Sequence, residues 1–241
     1  MSGSETIHAT RTTNKPLRDV RGFWRILLAV IAPLPMIAKG IYYLLTPVGG
    51  DTNFRDTVAA YEANKTLVTN LRWFDAVFLL LLIPAIYAVA WVSRRGAPRL
   101  TTAGAFISLL GCLAGFGLTG GVATPELLTV MNNLDVDTMS HVYDAAQTDP
   151  IGGIASLLFI IGIVFGLGLL GAALWRSRAV PAWMGIAVMF GGITHPFIPH
   201  QIGQGIGLFI AAAGFAGATL VLLRQSNDEF DLPPLRTVPQ S

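Results

Sequence analysis

Six long stretches of the chain are almost free of charge. They run over residues 26–45, 73–93, 101–122, 152–175, 181–198 and 203–223, and of 16 basic and 14 acidic side chains only Lys39 and Asp75 fall inside them. Each stretch is close to the ~20 residues a helix needs to cross ~30 Å of hydrocarbon. A buried helix of a soluble protein would be shorter and would keep a polar stripe. The pattern predicts an all-α, polytopic integral membrane protein, a bundle of about six transmembrane helices. Only Pro199, His200, Gln201 and Ile202 separate the last two stretches, so a re-entrant hairpin is the alternative there.

Composition agrees with this reading. Charged residues make up 12% of the 241-residue chain, about half of the ~25% found in soluble domains. Such a composition excludes a disordered chain, a coiled coil and a typical cytosolic enzyme. The single cysteine, Cys112, excludes an intramolecular disulfide framework and any multi-cysteine metal centre. A net charge of +2 gives no reason to expect nucleic acid as a partner. The partner the sequence does imply is the lipid bilayer.

Orientation follows from the basic residues. Arg11, Lys15, Arg18, Arg21, Arg25, Arg94, Arg95, Arg99, Arg176, Arg178, Arg224 and Arg236 fall on one side, and Arg55, Lys65 and Arg72 on the other. By the positive-inside rule both termini are expected in the cytoplasm. Residues 1–22 then form a basic cytoplasmic tail, 23–223 the membrane domain and 224–241 a polar, proline-containing tail expected to be disordered. No small-residue cleavage signature follows the first stretch, so a retained helix is expected and not a signal peptide. Arginine outnumbers lysine, which suggests a bacterial source and hence a plasma (bacterial inner) membrane location, multi-pass.

Two outer segments, 46–72 and 123–151, are long enough to carry structure. Phe54, Val58, Tyr61 and Val68 recur at helical intervals, predicting a helix on the surface or an extension of the second span. Thr124-Pro125 reads as an N-cap followed by a first-turn proline. Leu127, Met131 and Leu134 share one face beyond it, and Met139, Val142, Tyr143 and Ala146 share a second. Two short amphipathic helices are expected there.

Glycines recur at the four-residue spacing that lets helix backbones approach: Gly111/Gly115, Gly117/Gly121, Gly162/Gly166 and Gly203/Gly207. A tightly packed bundle is the main reading, and a homo-oligomer or protein partner on one such face is the sharper one. Trp91-Val92-Ser93-Arg94 before Pro98 echoes Trp175-Arg176-Ser177-Arg178 before Pro181. A parallel duplication and convergence of two cytoplasmic turns both account for that echo.

Lys39 is the residue that most needs an explanation. A charge inside the bilayer costs ~2.5–3.5 kcal/mol on insertion scales and usually has a partner. Counting along the helices places Lys39, Asp75 and His195 at similar depth in the outer leaflet, with His200, Gln201 and Gln204 near the same level. The cluster expected from the sequence is therefore Lys39, Asp75, His195, His200 and Gln204, as an outward-facing ligand pocket or a buried polar cluster. The plainer alternative is a structural Lys39–Asp75 pair, with Lys39 snorkelling outward. His195 and His200 flank two prolines that break the helix, which favours a proline-shaped turn over a metal site. No catalytic residue, metal or cofactor is assigned.

Pro33, Pro35 and Pro84 interrupt the first two spans; discontinuous helices occur in transporters, and also wherever neighbours satisfy the freed carbonyls. The leading function is non-enzymatic: a bundle binding a partner protein, lipid or small ligand from the outer side. A small transporter with its polar site around Lys39, Asp75 and His195 comes second. A membrane enzyme with an outward-facing histidine and carboxylate is third.

Overall fold

The computed structural model describes residues 19–49, 52–118 and 124–231, without the side chains of Leu118, His195 and Pro196. Among the described residues every regular element is a helix and there is no strand. The charge-free stretches become α1 (Arg21–Ile31) with α2 (Leu34–Leu45), then α4 (Lys65–Ser93), α5 (Pro98–Leu118), α8 (Pro150–Ile161) with α9 (Leu167–Arg176), α10 (Ala182–Phe197) and α11 (Gln201–Arg224). Between them lie α3 (Phe54–Ala63), α6 (Pro125–Asn132) and α7 (Val136–Gln147), and α12 (Asn227–Phe230) closes the described chain. A π-helical turn, Gly162–Gly166, joins α8 to α9.

Among the described residues five segments are long and apolar enough to cross a membrane: Arg21–Leu45, Lys65–Ser93, Pro98–Gly117, Pro150–Arg176 and Gln201–Arg224. The expected sixth stretch folds as α10, whose 16 residues reach about 24 Å at ~1.5 Å per residue. Prolines set its limits. Pro181 precedes the first turn, and Pro199 pushes Ile198 into the extended region (φ −101°, ψ 108°). The first span breaks at Ala32-Pro33, where proline lacks the helical donor, whereas α4 runs through Pro84 without interruption.

Exposed surfaces match an apolar solvent. Leu80 is 74% exposed and Phe106 66%, with Ile154, Leu157 and Phe165 also open; in water such faces would be an aggregation hazard. Trp73 and Trp91 bracket the apolar part of α4, about 27 Å apart by helical rise, which suits tryptophan at the two edges of a hydrocarbon layer.

At one end of the bundle, α1 begins where α11 stops. Arg25 donates to the Leu222 carbonyl at 3.1 Å, and Arg21 pairs with Asp228 at 2.7 Å. The turn before α5 abuts the turn before α10, since a Cβ on Gly96 would lie 2.6 Å from the Ser177 Cα. We call this the terminal end. Here α12 departs from the disorder expected beyond residue 223. Ser226 and Glu229 form a reciprocal capping box. Phe230 is buried against Trp91 at 5.3 Å between ring centres, and its carbonyl accepts from Trp91 Nε1 at 3.1 Å and from Arg94 at 3.0 Å. The expected tail regions 1–18 and 232–241 lie outside the described residues.

The opposite, capped end carries α3, α6 and α7 around a small core of Phe54, Val58, Tyr61, Val68, Leu127 and Val130. Both readings of residues 52–71 occur: α3 is a separate helix, and beyond Asn64 the chain lengthens α4. Thr124 accepts from the Leu127 amide, with Pro125 in the first turn of α6. Lys65 closes the other end of α6 by donating to the Val130 carbonyl at 2.7 Å. Leu134 and Val142, placed on apolar faces by spacing, are exposed at 41% and 49%. The chain leaves α6 at Asn133 in a left-handed conformation (φ 51°), which turns Leu134 off the face it would continue in a single helix.

Candidate functional site

Lys39 and Asp75 meet. The Lys39 ammonium on α2 donates to the Asp75 carboxylate on α4 as a close ion pair, each side chain 15% exposed. The ammonium also lies 4.3 Å from the centre of the Tyr42 ring, 5.0 Å from Tyr43 and 5.4 Å from Phe78. Helical spacing builds this cage. Tyr42 and Tyr43 stand three and four residues beyond Lys39, and Phe78 three beyond Asp75, so each charge has aromatics on its own face. A carboxylate and three ring faces replace the water the cation gives up. Tyr42 shares a hydrogen bond with Tyr61 of α3, tying the cage to the capped end; burial pushes the Tyr61 phenol above its ordinary range.

The pair forms part of the wall of a cavity of about 470 Å³. Met36 and Tyr43 of α2, Leu79 of α4, Phe116 of α5, Ser156 and Phe159 of α8, Ile163 of the π turn and Leu208 of α11 complete most of the lining. Its volume lies in the ordinary range for small-molecule sites, and its character, mostly apolar with a few polar groups, is also typical of them. Toward the terminal end the bundle is filled by Leu82, Ile86, Val89, Leu170, Leu174 and Phe215, all fully buried.

The remaining residues expected in the cluster go elsewhere. Gln204 on α11 donates to the Ile198 carbonyl at 2.7 Å, holding the α10–α11 turn. His200 precedes α11 and is exposed. Neither is among the residues lining the cavity. Gln201 has a buried Oε1 with no hydrogen-bond partner among the described residues. The His195 backbone belongs to α10, but its side chain, and with it any pairing with His200, lies outside the described residues. Among the described residues no three His, Cys, Asp or Glu side chains converge.

The glycines act within the chain. A Cβ on Gly111 would lie 2.6 Å from the Gly162 Cα, and one on Gly115 would press on the Phe159 ring. Gly166 faces Ser108 and Gly207 faces Thr194. Gly117 meets nothing within 4 Å, and Gly121 lies outside the described residues. Spacing alone did not single out Tyr42, Tyr43, Phe78, Phe116, Phe159 or Ser156. The signal for the first three was present, as aromatics one turn from each charge. For the others no local signal exists, because the cavity joins helices distant in sequence.

Among the described residues these features define a helical protein with five membrane-length apolar segments and a cavity walled in part by the Lys39–Asp75 ion pair. The chain matches no family model, no curated protein and no solved structure.

Proposed function

We propose that the protein is a multi-pass membrane protein that binds a small lipophilic ligand or lipid from the outer side, without catalysing a reaction. The observation that carries this reading is the cavity of about 470 Å³ beside Lys39 and Asp75, set against a terminal half filled by apolar side chains. The two ends of the membrane domain lie together at the terminal end, which requires an even number of crossings. That parity supports counting α10 as the sixth, tilted or in a locally thinned bilayer. The basic residues gathered there, Arg21, Arg25, Arg94, Arg95, Arg99, Arg176, Arg178 and Arg224, support a cytoplasmic terminal end. The cavity then faces outward, in a plasma (bacterial inner) membrane.

A second reading, a small transporter, is favoured by the break at Ala32-Pro33 and by the π-helical turn at the cavity wall, since π turns recur at functional sites. Single cysteines in a Cys112→Ala background separate the two. On the binding reading, Ser156→Cys reacts with a small charged thiol reagent added from outside, whereas Ile86→Cys and Leu170→Cys react from neither side. Reaction at Ile86→Cys or Leu170→Cys would replace binding with transport, and an unreactive Ser156→Cys would remove the outward-facing cavity.

A further inference from the structure

The cavity has a charge balance that selects among lipophiles. Among the described residues its wall carries one cation, Lys39, and one anion, Asp75, already joined to each other. A cationic ligand would seek the ring faces of Tyr42, Tyr43 and Phe78, but the Lys39 ammonium occupies that position. An anionic ligand would have to share Lys39 with Asp75, leaving one uncompensated negative charge in a low-dielectric site, which is strongly unfavourable. An uncharged oxygen faces neither penalty. An ammonium has three N–H donors, so a hydroxyl or carbonyl can accept from Lys39 while Asp75 remains bound to it.

We infer that the ligand is an uncharged, single-chain lipophile bearing a hydroxyl or carbonyl oxygen, with that oxygen at Lys39 and its chain along Phe116, Phe159 and Ile163. This rests on the binding reading above and names its ligand class. The cavity volume of about 470 Å³ lies in the ordinary range for small-molecule sites. The π-helical turn fits the same picture. It places Ile163 on the cavity wall while the carbonyls of Ile163 and Val164 lie against Gly192 of α10, so the widened turn is held by backbone contact from behind.

The test uses the full chain in lipid nanodiscs with three photoreactive probes of equal chain length: a long-chain alcohol, the corresponding carboxylate at a pH that keeps it ionised, and the corresponding amine. Crosslinks are mapped by mass spectrometry. The alcohol should label Phe116, Phe159 or Ile160 at least tenfold more than either charged probe, and excess unlabelled alcohol should compete. Ile160→Trp, which fills the mouth of the cavity from a 40% exposed position, should abolish that labelling. Asp75→Asn leaves Lys39 unpaired and should reverse the preference toward the carboxylate. Equal or stronger wild-type labelling by the carboxylate or amine overturns the ligand class and leaves the cavity reading standing. Cavity labelling no stronger than at the lipid-facing Leu80 and Phe106, or unchanged in Ile160→Trp, overturns the cavity reading itself. If Asp75→Asn does not fold, the three-probe ratio in the wild type and Ile160→Trp still decides both points.

Discussion

Gly185 and Gly153 are both helical glycines in apolar segments, and the bundle treats them in opposite ways. A Cβ on Gly185, near the terminal end, would lie 2.6 Å from the Gly171 carbonyl oxygen and 2.8 Å from the Trp175 Cβ. On Gly153 in α8 the same atom would meet nothing within 4 Å. The contrast extends to whole helices. α10 is held between α9 and α11, while α8 packs chiefly on α5 and the adjoining π turn. Lacking a second flank, α8 stands away from α2 and α4, and the cavity fills the gap. Glycine permits close approach, and it is used only on the face that a neighbouring helix meets.

The largest effects should come from the charges in the open half. Lys39→Met or Asp75→Asn alone leaves one ion unpaired and should lower stability by about 3–5 kcal/mol. The double variant should recover most of that loss in thermal unfolding of the detergent-solubilised protein. Double-variant stability no better than either single would mean that the two charges act separately. Packing provides the next comparison. Phe215, fully buried, should cost about 3–5 kcal/mol when cut to alanine, whereas Ile160→Ala at the cavity edge should cost under about 1 kcal/mol, since less contact is lost there. Equal losses would show that the open half is as closely packed as the filled one.

The glycines themselves give a difference in sign. Gly185→Ala forces a Cβ against backbone and should destabilise by about 1–3 kcal/mol. Gly153→Ala should stabilise by about 0.5–1 kcal/mol, because the helix gains a better former at no steric cost. Two changes of the same sign, in paired unfolding measurements, would remove the contrast. The smallest effect concerns the terminal end. A hydrogen bond from the Arg21 side chain holds the Asp19 carboxyl down from 3.8 to about 2. A lowered folded-state value means that its stabilisation is complete above pH ~4 and is lost as pH falls toward ~2. Trp91 fluorescence, which reports the Phe230 contact, should therefore stay constant between pH 7 and ~5 and change only below ~4. A midpoint near neutrality would assign the change to another group.

Much of this architecture was legible before any coordinates. Charge-free stretches of ~20 residues have one stable backbone solution in hydrocarbon, because only a helix satisfies every amide within its own segment. Capping signals were also readable, since they are local. Thr124-Pro125 opens α6 as its chemistry requires. The bounds of α10, Ala182–Phe197, fall within one residue of the charge-free stretch 181–198, because Pro181 and Pro199 mark its limits locally. The left-handed residue at Asn133 ends α6 before Leu134, so Leu134 does not continue the face of Leu127 and Met131. α12 was read as part of a disordered tail, because three polar residues and one phenylalanine show no local sign that Trp91 and Arg94 will receive Phe230.

For the site, depth counting brought Lys39, Asp75 and His195 to similar depth, with His200, Gln201 and Gln204 near it, but could not give each a direction around its helix. Rotation is decided by which neighbour each face meets. Gln204 therefore turns to the Ile198 carbonyl, while Lys39 turns to Asp75. What the sequence alone determined is the set of apolar helices and the two charges that had to be explained within them, because the transfer cost of a charge or an unpaired amide is local and depends only on residue type. What tertiary structure decided is that these charges meet, that three rings surround the cation, and that a cavity lies beside them. These outcomes depend on how helices far apart in the chain cross, and no local interaction energy encodes that.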